Sequence, residues 1–131
     1  MKKDAWIIDD DDEIRTALSM MLKIIGYEVK TFSEARAPAR ALLDGQHPDM
    51  LFIDINIPQV SGLELLKFIR QRDAWKRLPI LMVTSESDEI MVEEAIRLGA
   101  DGYVFKPVNF EELTNAIEMA LKRRALLASK D

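Results

Sequence analysis

The chain has 131 residues, 48% of them apolar, a formal net charge of −5, a pI near 5.0 and no cysteine. That is the size and composition of one domain with a real core; it argues against a basic nucleic-acid-binding face and excludes disulfides and thiolate metal sites. The N-terminal Met1-Lys2-Lys3-Asp4 lacks the apolar core of a signal peptide, and no apolar run approaches the ~20 residues of a membrane span, so a soluble cytoplasmic protein with no direct nucleic-acid or membrane partner is expected.

The first apolar run, Ala5 to Ile8, is short and bounded by charge, which reads as a buried strand. Four acidic residues, Asp9 to Asp12, follow it directly. Two unit charges ~4 Å apart repel by roughly 4 kcal/mol at an effective dielectric near 20. A divalent cation relieves such crowding, and hard oxygen ligands suit magnesium. The plainer reading is that these carboxylates face water and favour the start of the next helix, and that is the role expected of Asp11 and Asp12. Ile14, Ala17, Leu18, Met21, Leu22 and Ile25 then recur as one face of an amphipathic helix, with Gly26 as its stop. Tyr27 to Phe32 is a second strand. Arg36 to Leu43 is a second helix, with Pro38 tolerated in its first turn. The single histidine, His47, reads as a surface loop residue.

Met50 to Ile53 is a third strand, ending at Asp54. Gly62 to Arg72 is helical, with Leu63, Leu66 and Ile69 inward. Pro79 to Val83 is a fourth strand, ending at Thr84, and a helix from Asp88 to Leu98 stops at Gly99. Gly102 to Phe105 is a fifth strand, ending at Lys106-Pro107. Phe110 to Leu127 is the last helix, and its Lys122-Arg123-Arg124 cluster reads as a solvated helix end. Strand and helix thus alternate five times, which predicts an α/β fold: a single-domain, five-stranded parallel sheet with helices on both faces, flavodoxin-like. Ligands of such sheets bind beyond the carboxyl ends of the strands, where the strand order reverses. Asp9, Asp10, Asp54, Thr84 and Lys106 all fall at that edge.

Three carboxylates, a hydroxyl and an ammonium suit phosphoryl transfer. Carboxylates hold a metal ion, and metal and ammonium neutralise the transferring group. One carboxylate can act as nucleophile and form an acyl phosphate. Asp54 is the best candidate, set on a central strand and facing the acidic pair.

With these residues in family order, the chain resembles the receiver domains of two-component response regulators. The resemblance rests on Ile8-Asp9-Asp10, on Phe52-Ile53-Asp54-Ile55-Asn56-Ile57-Pro58 with Gly62 after it, on Val83-Thr84-Ser85, and on Gly99-Ala100-Asp101-Gly102-Tyr103-Val104-Phe105-Lys106-Pro107. It implies one receiver domain over residues 1–131. Asp54 would be the phosphoacceptor, charged by a histidine kinase or a histidine phosphotransfer protein. Asp10 and Asp54 would bind Mg2+ (or Mn2+) directly, Asp9 through water, and the backbone carbonyl of Asn56 would be a further ligand. Lys106, Thr84 and the small Ser85 would receive the phosphoryl group, and Tyr103 would be the aromatic switch. Asn56 and Glu86 would tune the phosphoryl lifetime, and both residue types match the chemotaxis-type members, which implies rapid self-dephosphorylation. The fourth helix, fifth strand and fifth helix would form the surface read by a downstream protein, in a monomer or a phosphorylation-dependent dimer.

A single-domain regulator, with no output domain after the last helix, is the leading expectation. A receiver cut from a longer regulator is the alternative; Gly102 and Glu111-Glu112 depart from the winged-helix subclass pattern. A phosphatase of the haloacid dehalogenase type would need an acid two residues past its nucleophile, where Asn56 stands. A flavodoxin-like nucleotide site would set phosphate against Asp9 to Asp12. The other reading is a receiver-shaped interaction module that never sees phosphate. On the leading reading the chain is a phosphoacceptor switch rather than an enzyme.

Overall fold

The computed structural model describes residues 2–85 and 89–130. The elements run β1 (Lys3–Ile8), α1 (Asp12–Ile25), β2 (Tyr27–Phe32), α2 (Arg36–Leu43), β3 (Met50–Asp54), α3 (Gly62–Arg70), β4 (Ile80–Ser85), α4 (Glu89–Arg97), β5 (Gly102–Lys106) and α5 (Phe110–Ala128). The strands form one parallel sheet in the order β2-β1-β3-β4-β5. The chain leaves β1 outward to β2 and returns to β3 on the other side. The switch in strand order therefore lies between β1 and β3, where Asp9 and Asp54 end their strands.

Side chains alternate across a strand, and here both faces are apolar. Ala5, Ile7, Met50, Phe52, Leu81, Val83 and Val104 pack under Leu18 and Leu22 of α1 and Leu113, Ile117 and Ala120 of α5. Trp6, Ile8, Leu51, Ile53, Ile80 and Met82 pack under Leu42 of α2, Leu65, Leu66 and Ile69 of α3 and Ala95 of α4. β3 is buried over its whole length, as a central strand covered on both faces requires.

The predicted α/β architecture is the observed one. α2 and β2 have their predicted limits, and Gly26 caps α1 at φ 121°, donating to the carbonyls of Leu22 and Lys23. Asp11 is the N-cap of α1: its carboxylate accepts from the amides of Glu13 and Ile14, the helix-start role expected of it. Several details differ. β1 begins at Lys3, because Lys3 and Asp4 continue the ladder to Tyr27 and Glu28 although both are exposed. β4 runs on to Ser85, so Thr84 lies inside the strand. α3 stops at Arg70, before a single 3-10 turn over Asp73–Trp75, and buries Leu65 more deeply than Leu63. α5 continues to Ala128, so Lys122, Arg123 and Arg124 are not at its end. Among the described residues no helix is long and apolar enough to cross a membrane.

Candidate functional site

The alternation that builds the core also aims the site. Asp9, Asp54 and Lys106 continue the side-chain series of Ile7, Phe52 and Val104, so all three turn toward the α1–α5 side. Thr84 and Tyr103 belong to the opposite series, on the α4 side. Two sets of functional groups thus meet at one sheet edge from its two faces.

On the first side, Asp54 is 3% exposed and Asp9 1% exposed. Lys106 Nζ lies 3.1 Å from Asp54 Oδ2 and 3.1 Å from Asp9 Oδ2. It donates a hydrogen bond to Asp54, whose other oxygen accepts from the Asn56 amide at 3.1 Å. Asp9 Oδ1 accepts from the Asp11 amide at 2.9 Å. Asp9 Oδ2 is buried and makes no hydrogen bond among the described residues: the ammonium is near it but not aligned as a donor. Burial is the main influence on Asp9 and raises its pKa. The charge of Asp54 adds to this, the Asp11 amide and Lys106 oppose it, and the net direction is up. For Lys106, burial lowers the pKa, but attraction first to Asp54 and then to Asp9 outweighs it, and the net direction is again up.

One carboxylate oxygen from each of Asp9, Asp10 and Asp54 lies within 4.8 Å of the others, with Asp10 exposed and the other two buried. Among the described residues the Lys106 ammonium lies against two of these three carboxylates, and one buried oxygen lacks a hydrogen bond. Hard oxygen donors with a charge deficit of this kind fit a divalent cation of the magnesium class. The loop that carries them is tied down by Arg15, whose Nη1 donates to the Asp9 carbonyl at 2.6 Å while Nη2 pairs with Asp12. Gly62 supports the loop after Asp54: a Cβ there would lie 2.1 Å from the Asp54 carbonyl oxygen.

On the second side, Thr84 is fully buried, and its hydroxyl donates to the Ser85 carbonyl at 3.4 Å. It pairs in register with Phe105 of β5, and Ser85 pairs with Lys106. Tyr103 lies two residues before Phe105, its ring 5.2 Å from that of Phe105 and 42% exposed. Glu86 lies outside the described residues.

The response regulator receiver domain model matches residues 5–118, which spans every group just described. The chain belongs to the response regulator receiver domain family. Among curated relatives, this receiver is 38% identical over 117 residues to the transcriptional regulatory protein AfsQ1 of Streptomyces coelicolor, covering 89% of this chain and 50% of that one. It is 32% identical over 117 residues to the chemotaxis protein CheY of Pseudomonas aeruginosa, covering 89% of this chain and 94% of that one. A solved response regulator from Chloroflexus aurantiacus superposes with a TM-score of 0.87 at 30% identity, covering 93% of this chain and 99% of that one. The receiver spans half or less of the length of several of the curated relatives it matches.

Sequence reasoning missed a second polar centre at the opposite sheet edge. Asp101 has a fully buried side chain. Its Oδ1 accepts from Arg124 Nε at 2.6 Å and Arg123 Nε at 3.2 Å, and its Oδ2 from Arg70 Nη2 and the Ile80 amide, both at 3.0 Å. The basic cluster read as a solvated helix end is therefore partly an anchor: Arg123 and Arg124 fasten α5 to the start of β5. The pairing residues are 22 to 31 positions apart in sequence, and no local pattern announces them.

Proposed function

We propose that this receiver takes a phosphoryl group onto Asp54 from a phosphohistidine, on a histidine kinase or a histidine phosphotransfer protein, and that its phosphorylated form controls a downstream protein through the α4–β5–α5 surface. The observation that carries this reading is the buried Asp54 carboxylate, hydrogen-bonded to Lys106 at 3.1 Å beside the acidic pair at the switch point of the sheet.

An Asp54 oxygen attacks phosphorus. The new P–O bond forms as the donor's P–N bond breaks, and the electron pair returns to the imidazole nitrogen. Asp9, Asp10 and Asp54, with the Asn56 carbonyl, would hold magnesium or manganese. The bound ion would neutralise charge on the phosphoryl oxygens. Lys106 follows the negative charge from the carboxylate to a phosphoryl oxygen, and the Thr84 hydroxyl donates to another, both as charge-assisted bonds. The modification adds roughly −1.5 to −2 charge. Thr84 cannot turn toward it without disturbing Phe105 across the ladder, and Tyr103 packs on Phe105. That chain of contacts leads from the site to the α4 side of β5, a two-state element of the kind a switch needs. Asn56 holds the approach to Asp54 and tunes how fast water removes the group.

Intact mass after incubation with acetyl phosphate and magnesium tests the chemistry. One added phosphoryl group is expected, absent without magnesium and absent in Asp54→Asn. No adduct under fast trapping, with a phosphorylated kinase as alternative donor, would leave the phosphate-independent interaction module as the better reading.

A further inference from the structure

We propose that the basic corner where α3, the 3-10 turn and α5 meet docks on an anionic lipid surface, with the acidic edge of Asp9, Asp10 and Asp54 turned away from it. Such docking needs no phosphoryl chemistry and is independent of the proposed function.

The net charge of −5 conceals an uneven distribution. From Lys67 to Arg77 the chain has five cations and one acid, Asp73; from Lys122 to Lys130 it has four cations and no acid. Half of the eighteen lysines and arginines thus fall in two short segments. The fold brings the two together, although α3 and α5 cover opposite faces of the sheet. Arg70 of α3 and Arg123 and Arg124 of α5 share the buried Asp101, and Arg124 Nη1 also donates to the Lys76 carbonyl at 2.8 Å. One carboxylate against three guanidiniums leaves that centre with surplus positive charge. Around it, Arg72, Lys76, Lys122 and Lys130 are exposed and make no ion pair among the described residues. Arg72 lies instead over the rings of Phe68 and Trp75, 5.0 and 5.5 Å from their centroids.

Helix macrodipoles do not account for these cations. They favour positive charge in the last turn of a helix, as at Lys67 and Arg70 in α3. Arg72 and Lys76 lie beyond α3, and the last turn of α5 contains no basic residue. The apolar neighbours decide the partner. Leu126 is 65% exposed and Leu127 38%. Leu126 stands four residues from both Lys122 and Lys130 and three from Arg123, so these four share one face of α5. An exposed leucine among lysines and arginines suits a helix lying in a lipid headgroup layer: the leucine enters, and the cations meet lipid phosphates. Nucleic-acid phosphates would answer the cations and leave Leu126 in water. An acidic peptide is narrow, whereas cations drawn from both sides of the sheet suit a broad surface.

The test is flotation of the intact chain, without magnesium or phosphodonor, with vesicles of phosphatidylcholine alone and of phosphatidylcholine mixed with phosphatidylglycerol. Duplex DNA and polyglutamate are added as competitors. Binding to the mixed vesicles is expected to be at least about tenfold tighter than to phosphatidylcholine and to weaken as salt is raised. The paired substitutions Lys76→Glu and Lys122→Glu should lower it by at least about tenfold. Lys30→Glu with Arg36→Glu, an equal change of net charge elsewhere on the surface, should lower it far less. Leu126→Gln should weaken binding and keep its salt dependence. All five positions are exposed, and circular dichroism checks the fold of each variant. Equal binding to both vesicle types, no binding at low salt, equal loss in the two paired variants, indifference to Leu126→Gln, or displacement from the mixed vesicles by an equal charge concentration of DNA or polyglutamate would overturn the proposal. The Asp54 adduct is read by mass on separate samples, so either reading can fail without the other.

Discussion

Asp9 answers to two opposed demands. Its position at the end of β1 buries it, and it shares the Lys106 ammonium with Asp54. Because burial raises its pKa, folding disfavours the charged form of Asp9 relative to the unfolded chain. The resulting loss of stability is absent below the unfolded value of ~3.9 and fully present above the raised folded value. Asp9→Asn keeps an oxygen for the Asp11 amide and removes the charge. It is expected to raise the Tm of the metal-free protein near neutral pH, with the gain vanishing below the ordinary carboxylate pKa of ~3.9; melting curves across pH check this. Gly62 gives the opposite case. A Cβ there meets the Asp54 carbonyl at 2.1 Å, so the backbone bearing Asp54 must move. Gly62→Ala should cost more than ~2 kcal/mol in urea denaturation and slow the appearance of the phosphoryl adduct.

Among the elements, α3 and α5 are joined by Asp101 and its arginines. Arg70 also donates to the carbonyls of Gly99 at 2.9 Å and Trp75 at 3.0 Å. Burial lowers its pKa to about 10, with the Asp101 charge resisting and Arg124 and Arg123 assisting, so it stays charged at neutral pH. Arg70→Ala leaves two part-buried carbonyls without that donor and Asp101 with fewer cations. A loss of about 3 kcal/mol in urea denaturation is expected, larger than for Arg123→Ala, because the Arg123 side chain is itself 45% exposed. This centre also marks where sequence reading stops. Helix faces and buried strands were legible because period and apolar runs are local. The gathering of Asp9, Asp54, Thr84 and Lys106 at one edge followed from strand order alone. The 3-10 turn at Asp73–Trp75 and the early end of α3 were not legible, because they depend on where Arg70 finds its acceptors. The Asp101 cluster was invisible for the same reason, and its arginines looked like ordinary solvated cations.

For the molecule as a whole, the proposed metal site would make stability a function of divalent cation concentration. A ligand that binds only the folded chain adds RT ln(1 + [L]/Kd), ~2.7 kcal/mol at a hundred times Kd. Magnesium should therefore raise Tm in a saturable way, and Asp9→Asn should flatten the dependence while leaving the protein folded; differential scanning calorimetry against magnesium concentration reads both.

The sheet separates two hydrophobic layers that share almost no side chains. One contains Leu18 and Ile117, the other Leu66 and Ala95. Substitutions in different layers should be nearly additive in the free chain, within ~0.5 kcal/mol. On the proposed mechanism, a phosphoryl group on Asp54 would be gripped from one layer by Lys106 and from the other by Thr84. It would be a rivet through the sheet. Two mutations that ignore each other in the resting protein, one under α1 and one under α4, should then become coupled once the rivet is set, and double-mutant cycles measured with and without it would give the mechanical stiffness of the switch.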